Sequence, residues 1–237
     1  MRFTQTFISQ SQDFPHRFTD QDFDLALWRA RKDSQALSGG RGASQKIHLN
    51  GEDFVLRHYL RGGLIARLLT DQYLWLGLQL SRPFKEADIV EHAIQVHLPV
   101  PQVVACRIER SGLFYRAAII SRYIENRGTL AACLHRGSLD SARWFALGQL
   151  INSLHQAGIY HADLNANNIL LDKHDGFYLI DFDKARRISP GSPEAQRNLQ
   201  RLLRSLNKIA ENSSKQFHFN RADWSALRAG YEQVLNP

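Results

Sequence analysis

Cysteine is scarce: Cys106 and Cys133 are the only two in 237 residues, and neither stands in a CxxC or other metal-like spacing. No disulfide framework or cysteine-ligated metal is therefore expected, and both read as reduced core thiols. Long apolar runs are missing as well. No stretch approaches the roughly 18 residues that a membrane-spanning helix needs, and the opening "MRFTQTFISQSQDFP" lacks the continuous apolar core of a signal peptide. The chain is accordingly expected to stay in the cytoplasm. There is no internal repeat and no low-complexity segment. Acidic residues are outnumbered, with 23 Asp and Glu against 30 Lys and Arg, a net charge of +7. Such an excess favours a polyanionic partner, whether nucleic acid, nucleotide phosphates or an anionic membrane surface, without choosing among them. What is present, 43% apolar and 22% charged residues, is the composition of an ordinary folded protein. The length suits one substantial core or two lobes of roughly 80 to 150 residues each.

Residues 1–35 are polar and aromatic without clear periodicity and read as an irregular N-terminal arm. Strands are expected at Gln45–Leu49 and Phe54–Tyr59, joined through Asn50-Gly51, a pair suited to the positive φ of a type I′ turn. Residues 60–83 read as a linker packed on this sheet, or as a substrate or membrane contact. A helix over Pro83–Val96 follows from Phe84, Ala87, Val90, Ala93 and Ile94 at helical spacing. Two further strands are expected at Val103–Glu109 and Leu113–Tyr123. The clearest helix, Asp140–Ala157, carries Trp144, Leu147, Ile151 and Leu154 on one face, and Gly158 stops it. In Glu194–Ala210, Leu199, Leu202, Leu203 and Leu206 line one face, and Arg197, Arg201, Arg204 and Lys208 the other. Trp224, Leu227 and Tyr231 suggest one more helix. Strands first and helices second is an α+β order in two lobes: the arm, an N-lobe over 36–124 and a C-lobe over 125–237.

The stretch "YHADLNANNILLDKHDGFYLIDFDKAR", Tyr160–Arg186, concentrates Asp163, Asn168, Asp181 and Asp183 among apolar residues. Such residues are either loop formers and caps, or a site. Ile169–Leu171 and Phe177–Ile180 joined by "DKHDG" predict a β-hairpin, with Asn168 and Asp181 side by side at its open end. An amide oxygen beside a carboxylate offers hard ligands to Mg²⁺, which leaves its other positions to water and phosphates. Asp163, on the loop that leads into the hairpin, is placed to accept a hydroxyl proton or orient a nucleophile.

"HADLNANN" and "DFD" resemble the catalytic loop H-R-D-L-x-x-x-N and the metal-binding D-F-G of the protein-kinase-like fold. The resemblance implies a two-lobed fold, with an antiparallel β-sheet N-lobe and a reduced, mainly helical C-lobe. It implies Asp163 as base, Asn168 and Asp181 as Mg²⁺ ligands, His161 as a brace of the loop, and ATP as phosphoryl donor. "GGRGAS" stands where the Gly-rich loop covers the nucleotide phosphates, which nominates Gly40, Gly42 and Ser44. Arg57 of "FVLR" stands where a phosphate-contacting Lys is expected, with Glu86 as its partner and Glu91 as the alternative. "AAIISRYIE" resembles the inter-lobe hinge, whose backbone would bind adenine around Arg122 to Ile124. Ala162 and Asp183 depart from the pattern and no A-P-E element is visible, which points away from protein substrates.

"RHYLRGGLIARLL", "YLWLGL", "LPVP", "GLFYRAAII" and "RNLQRLLRSLNK", in this order, resemble the lipopolysaccharide kinase family over residues 35–237. That resemblance implies ATP-dependent phosphorylation of the 4-hydroxyl of 3-deoxy-D-manno-octulosonic acid (Kdo) on a lipid A precursor, Kdo-lipid IVA. It places the protein peripherally on the cytoplasmic side of the bacterial inner membrane. The Arg197 to Lys208 stripe either lies in water, with the Leu face in the core, or faces anionic lipid or substrate phosphates, and Arg61 and Arg67 are weaker candidates for the acidic sugar. His135, His155 and His174 read as surface or structural. No nucleic acid and no obligate protein partner are expected. The alternatives are a kinase of the aminoglycoside phosphotransferase type, whose loop is similar, and a pseudokinase binding module.

Overall fold

The structure, a computed structural model, describes residues 4–12, 14–31, 34–37, 44–60 and 71–233. The chain divides into two compact units, Met1–Asp88 with Pro101–Tyr123, and Ile89–Val100 with Ile124–Pro237. It is a mixed α/β protein with antiparallel sheets and several helices.

The first unit is built on a seven-stranded sheet. Its strands are β1 (Thr4–Gln10), β2 (Gln35–Ala36), β3 (Ser44–Leu49), β4 (Glu52–His58), β5 (Tyr73–Leu74), β6 (Val103–Ser111) and β7 (Phe114–Arg122). They run antiparallel in the order β1-β6-β7-β4-β3-β2, with β5 also paired to β7. Asn50 and Gly51 join β3 to β4 at φ 52° and 84°, the left-handed pair that matches the twist of the strands they connect. One face of β4 sends Phe54 and Leu56 into a core with Ile47, Val104, Ala118 and Ile120.

The irregular arm expected over 1–35 is corrected here. β1 pairs with β6 from Thr4↔Ser111 to Gln10↔Ala105. A 3₁₀ turn at Asp20–Phe23 leads into α1 (Leu25–Arg29), where the Asp24 carboxylate accepts the Ala26 and Leu27 N–H groups. Phe14, Phe18, Phe23 and Trp28 are buried in the same core as Phe54. As an edge strand, β1 leaves most of its residues exposed, so no apolar alternation marks it in the sequence. A second cluster gathers Tyr59, Tyr73, Cys106, Ile108, Tyr115 and Ile119. Cys106 is a free thiol pushed up to about 12, by burial first and by the Glu86 charge second. Cys133, also free and buried, is raised by burial as well. Residues 38–43, with Gly40 and Gly42, and 61–70, with Arg61 and Arg67, lie outside the described residues.

The helix α2 (Arg82–Gln95) starts in the first unit and ends in the second. The second unit adds β8 (Asn126–Thr129), α3 (Leu130–Leu134), α4 (Ser141–Gln156), β9 (Ile159–Tyr160), β10 (Ile169–Asp172) and β11 (Phe177–Leu179). It continues with β12 (Arg186–Arg187), α5 (Pro193–Asn212) and α6 (Arg221–Glu232). Trp144, Leu147, Ile151 and Leu154 of α4 are fully buried, as their spacing predicts. α4 and α6 cross with their backbones in contact. A Cβ on Gly148 would lie 2.0 Å from the Leu227 carbonyl oxygen, and one on Gly230 2.0 Å from that of Phe145. No larger residue fits either position, and this close approach brings α6 against the helix that leads to the HADLNANN loop.

Candidate active site

The site is assembled on the β10–β11 hairpin of the second unit. Ile169 pairs with Leu179 and Leu171 with Phe177. The turn is closed by the Asp172 carboxylate, which accepts the N–H groups of His174 and Gly176, both at 2.8 Å. Asp175, at φ 66°, bonds to Arg127 and lies 2.7 Å from Arg143 of α4. At the open end, the Ile180 N–H donates to the Asn168 carbonyl at 3.0 Å. The register is thus one residue from that expected: Asn168 faces Ile180, not Asp181. The cause is the Asp172-centred turn, which is one residue tighter than the pairing of Asn168 with Asp181 would require. Asp181 then leaves the ladder at φ 65°, in the left-handed region that Asp tolerates better than most side chains.

His161 is the centre of the arrangement. Its Nδ1 accepts the Asp163 N–H at 3.2 Å, and its Nε2–H donates to the Ile180 carbonyl at 2.9 Å. The ring packs on Phe182, with centroids 4.7 Å apart. Burial lowers its proton affinity, and the Ile180 hydrogen bond and the Asp181 and Asp163 charges oppose that shift. A neutral imidazole therefore joins the loop that carries Asp163 to the strand end that carries Asp181. Asn168 Nδ2 donates to the Asp163 carbonyl at 2.9 Å and lies 3.5 Å from its Oδ2. That commits the amide nitrogen and leaves its oxygen as a hard donor. Asp163 Oδ1 is 2.5 Å from Arg201 Nη2 of α5, in a pair about half exposed on both sides, where solvent screens most of the attraction.

Beneath the loop lies a buried polar chain. Asn198 of α5 is 0% exposed. Its Oδ1 accepts the His161 N–H at 3.2 Å, and its Nδ2 donates to the His161 carbonyl at 2.7 Å. The backbone thereby fixes the orientation of the amide, so His155 Nε2, 3.0 Å from the same Oδ1, must be the donor. His155 Nδ1 then accepts the Tyr231 hydroxyl at 2.9 Å. Burial lowers the proton affinity of His155, which keeps it neutral in this role. Side chains of α6, α4 and α5 thus form a chain, Tyr231–His155–Asn198, that ends on the backbone of one loop residue.

The first unit holds a separate constellation. Arg57 of β4 donates through Nη2 to both Glu86 oxygens, at 2.5 and 2.7 Å. The Tyr59 hydroxyl donates to Glu86 Oε2 at 2.5 Å, and the Arg57 guanidinium lies 4.7 Å from the Tyr59 ring centroid. Burial raises the Tyr59 pKa well above its usual value, with the Glu86 charge second. Of the two glutamates considered from sequence, Glu86 makes the pair and Glu91 is exposed. Ser44 stands directly across the β3–β4 ladder from Arg57.

A family model described as "Lipopolysaccharide kinase (Kdo/WaaP) family" matches residues 26–231. The chain belongs to the lipopolysaccharide kinase (Kdo/WaaP) family. It is 39% identical to a protein of Xylella fastidiosa (strain 9a5c) named 3-deoxy-D-manno-octulosonic acid kinase, over 89% of this chain and 83% of that one. Proteins of the same name are 36% identical in Vibrio parahaemolyticus, covering 86% of this chain and 85% of the relative, and 42% identical in Stenotrophomonas maltophilia (strain K279a), covering 84% and 78%.

In this member of the lipopolysaccharide kinase family, His161 ties the Asp163 backbone to the residue before Asp181 and Asn168 bonds Asp163, while Arg57, Glu86 and Ser44 stand together in the other unit. Among the described residues no group of three or more His, Cys, Asp or Glu could hold a metal ion. The Asn168 amide oxygen and the Asp181 carboxylate are hard oxygen donors of the kind Mg²⁺ accepts. Sequence reasoning overlooked Asn198 and the Arg201–Asp163 pair. Asn198 carried a readable signal, since it is a polar residue one turn before Leu202 on the otherwise apolar face of α5. The pairing of Arg201 depends on the approach of two segments 38 residues apart, and nothing local reports it.

Proposed function

We propose that this protein transfers the γ-phosphoryl group of ATP to the 4-hydroxyl of Kdo on a lipid A precursor, in lipopolysaccharide core biosynthesis. The observation that carries the reading is that one neutral histidine, His161, ties the Asp163 N–H to the carbonyl of Ile180, the residue before Asp181, while Asn168 bonds the Asp163 carbonyl. Family membership supports phosphotransfer, and the names of the relatives support Kdo as the acceptor.

In this reading the protein has the two-lobed protein-kinase-like fold, with Gly40 and Gly42, and Ser44 at the start of β3, contacting the nucleotide phosphates. The sugar oxygen forms its bond to the γ-phosphorus as the bond to the β,γ-bridging oxygen breaks and ADP departs. Asp163 receives the hydroxyl proton, and the amides of Asn165 and Asn168, both 2.9 Å from its carbonyl, hold its backbone in place. Asn168 and Asp181 would hold Mg²⁺, which when bound neutralises phosphate charge. Arg57, fixed in direction by Glu86, contributes a cation to the phosphates. The protein acts peripherally at the cytoplasmic side of the inner membrane; no helix among the described residues is long and apolar enough to cross one.

The test is label transfer from γ-labelled ATP to Kdo-lipid IVA, with kanamycin and a basic protein as control acceptors. Transfer to the Kdo lipid alone is expected. Asp163→Asn should keep its fold and bind ATP but lose transfer by at least about 100-fold, as removal of an acid–base group does. Label on kanamycin in place of the lipid, or wild-type turnover by Asp163→Asn, would overturn the assignment.

A further inference from the structure

The cationic face of α5 is not a uniform solvated stripe. Arg197 lies 3.7 Å from Glu194, whereas Arg201 bonds Asp163 of the HADLNANN loop and Arg204 and Lys208 share a groove with that loop. With Lys215, Asn165 and Asn167 they line a groove of about 1150 Å³, and none of its lining residues is acidic. Among the described residues no carboxylate pairs with Arg204, Lys208 or Lys215, although Arg186 and Arg228 nearby in sequence have their glutamates. Like charges three and four residues apart on a helix repel, and a concave wall of one sign concentrates its field on an incoming ion. Arg201 belongs both to this groove and to Asp163, 2.5 Å from its Oδ1, so the groove opens beside the candidate base.

We propose that this groove binds a phosphomonoester of the acceptor lipid and thereby places the sugar hydroxyl at Asp163. The inference rests on the kinase reading above and adds the subsite that selects the acceptor. A phosphomonoester fits better than a lone carboxylate. It brings close to two negative charges and three acceptor oxygens, and the groove offers four cations with the amides of Asn165, Asn167 and Asn212 beside them.

The test uses the double variant Arg204→Ala/Lys208→Ala, whose truncated side chains are exposed and whose fold should survive. KM for Kdo-lipid IVA should rise at least about tenfold, the equivalent of one charge-assisted hydrogen bond, while KM for ATP stays unchanged. With acceptor stripped of its phosphates by phosphatase, wild type and variant should be alike. An unchanged KM for Kdo-lipid IVA, or an equal loss on the phosphate-free acceptor, overturns the proposal. A second measurement stands apart from turnover: titration of the wild-type protein with inorganic phosphate should shift the amide resonances of residues 201–208 saturably, and the variant should show no such shift. Absence of a saturable shift in wild type overturns the groove as an anion site. A wild-type protein that phosphorylates no Kdo acceptor but shows the shift would sink the kinase reading and leave the anion site standing.

Discussion

Replacing Asn198 by Leu, a residue of similar volume, would remove every polar contact of a side chain that is 0% exposed. Three groups would lose their partners: the His161 N–H, the His161 carbonyl and the His155 Nε2–H. All belong to buried residues, so water does not take the place of the amide. A stranded buried polar group costs about 1 to 3 kcal/mol, which puts the expected loss at roughly 3 to 9 kcal/mol against a typical total of about 5 to 15. Asn198→Ser, which keeps a hydroxyl and makes room for water, should fall between wild type and Leu. Urea unfolding followed by circular dichroism reads the stability, and phosphoryl transfer below the unfolding transition reads the loop. The Leu variant should lose kcat with little change in KM for ATP, because the loop that carries Asp163 loses its support while Arg57 does not. A Leu variant within about 1 kcal/mol of wild type would refute the claim that this amide holds the loop, since even one stranded group costs that much.

Gly148→Ala would drive a methyl group to 2.0 Å from the Leu227 carbonyl. The helices must separate, at a cost of about 1 to 3 kcal/mol for an overpacked core, and a lowered urea midpoint is expected where an exposed helix glycine would show a gain. The histidines set a pH dependence. Burial holds His58, His155 and His161 below the usual histidine range, so the unfolded chain binds more protons between the folded values and about 6.5. Their stabilisation is full above that pH and is lost as pH falls through the window, by up to about 1.4 kcal/mol per unit for each histidine. Urea midpoints at about pH 7.5 and 5.5, above the range where carboxylates titrate, should fall on acidification; equal midpoints would contradict neutral burial.

Periodicity announced those elements that bury one face and expose the other. α4 declares itself through Trp144, Leu147, Ile151 and Leu154, and α2 through Phe84, Ala87, Val90 and Ala93, because burial of those faces is what holds them; Ile94, expected on the same face, is exposed. β1 has no such face. Phe14, Phe18 and Phe23 follow it without a period, although they form part of the core. The hairpin was legible, but its register was not, because one carboxylate, Asp172, tightens the turn by a residue and the apolar runs on either side do not record it. For the site, spacing alone nominated Asp163, Asn168 and Asp181, since a loop and a hairpin keep their residues near one another. The groups beneath them come from far along the chain. Asn198 looks like a blemish on a Leu face until His161 is placed against it, and the hydroxyl of Tyr231 shows nothing in sequence of the histidine it bonds.

That distance has a consequence in time. Tyr231 follows its partner His155 by 76 residues, which a ribosome adding roughly 5 to 20 residues per second covers in about 4 to 15 s. Asn198 follows His161 by 37. During synthesis, then, the HADLNANN loop emerges before Asn198 and Ser205 of α5, which bond it, and His155 gains its Tyr231 bond only once α6 has docked across Gly148. The segment that carries Asp163 is made early and completed late, and the nascent chain passes through an interval in which that loop exists but has nothing beneath it.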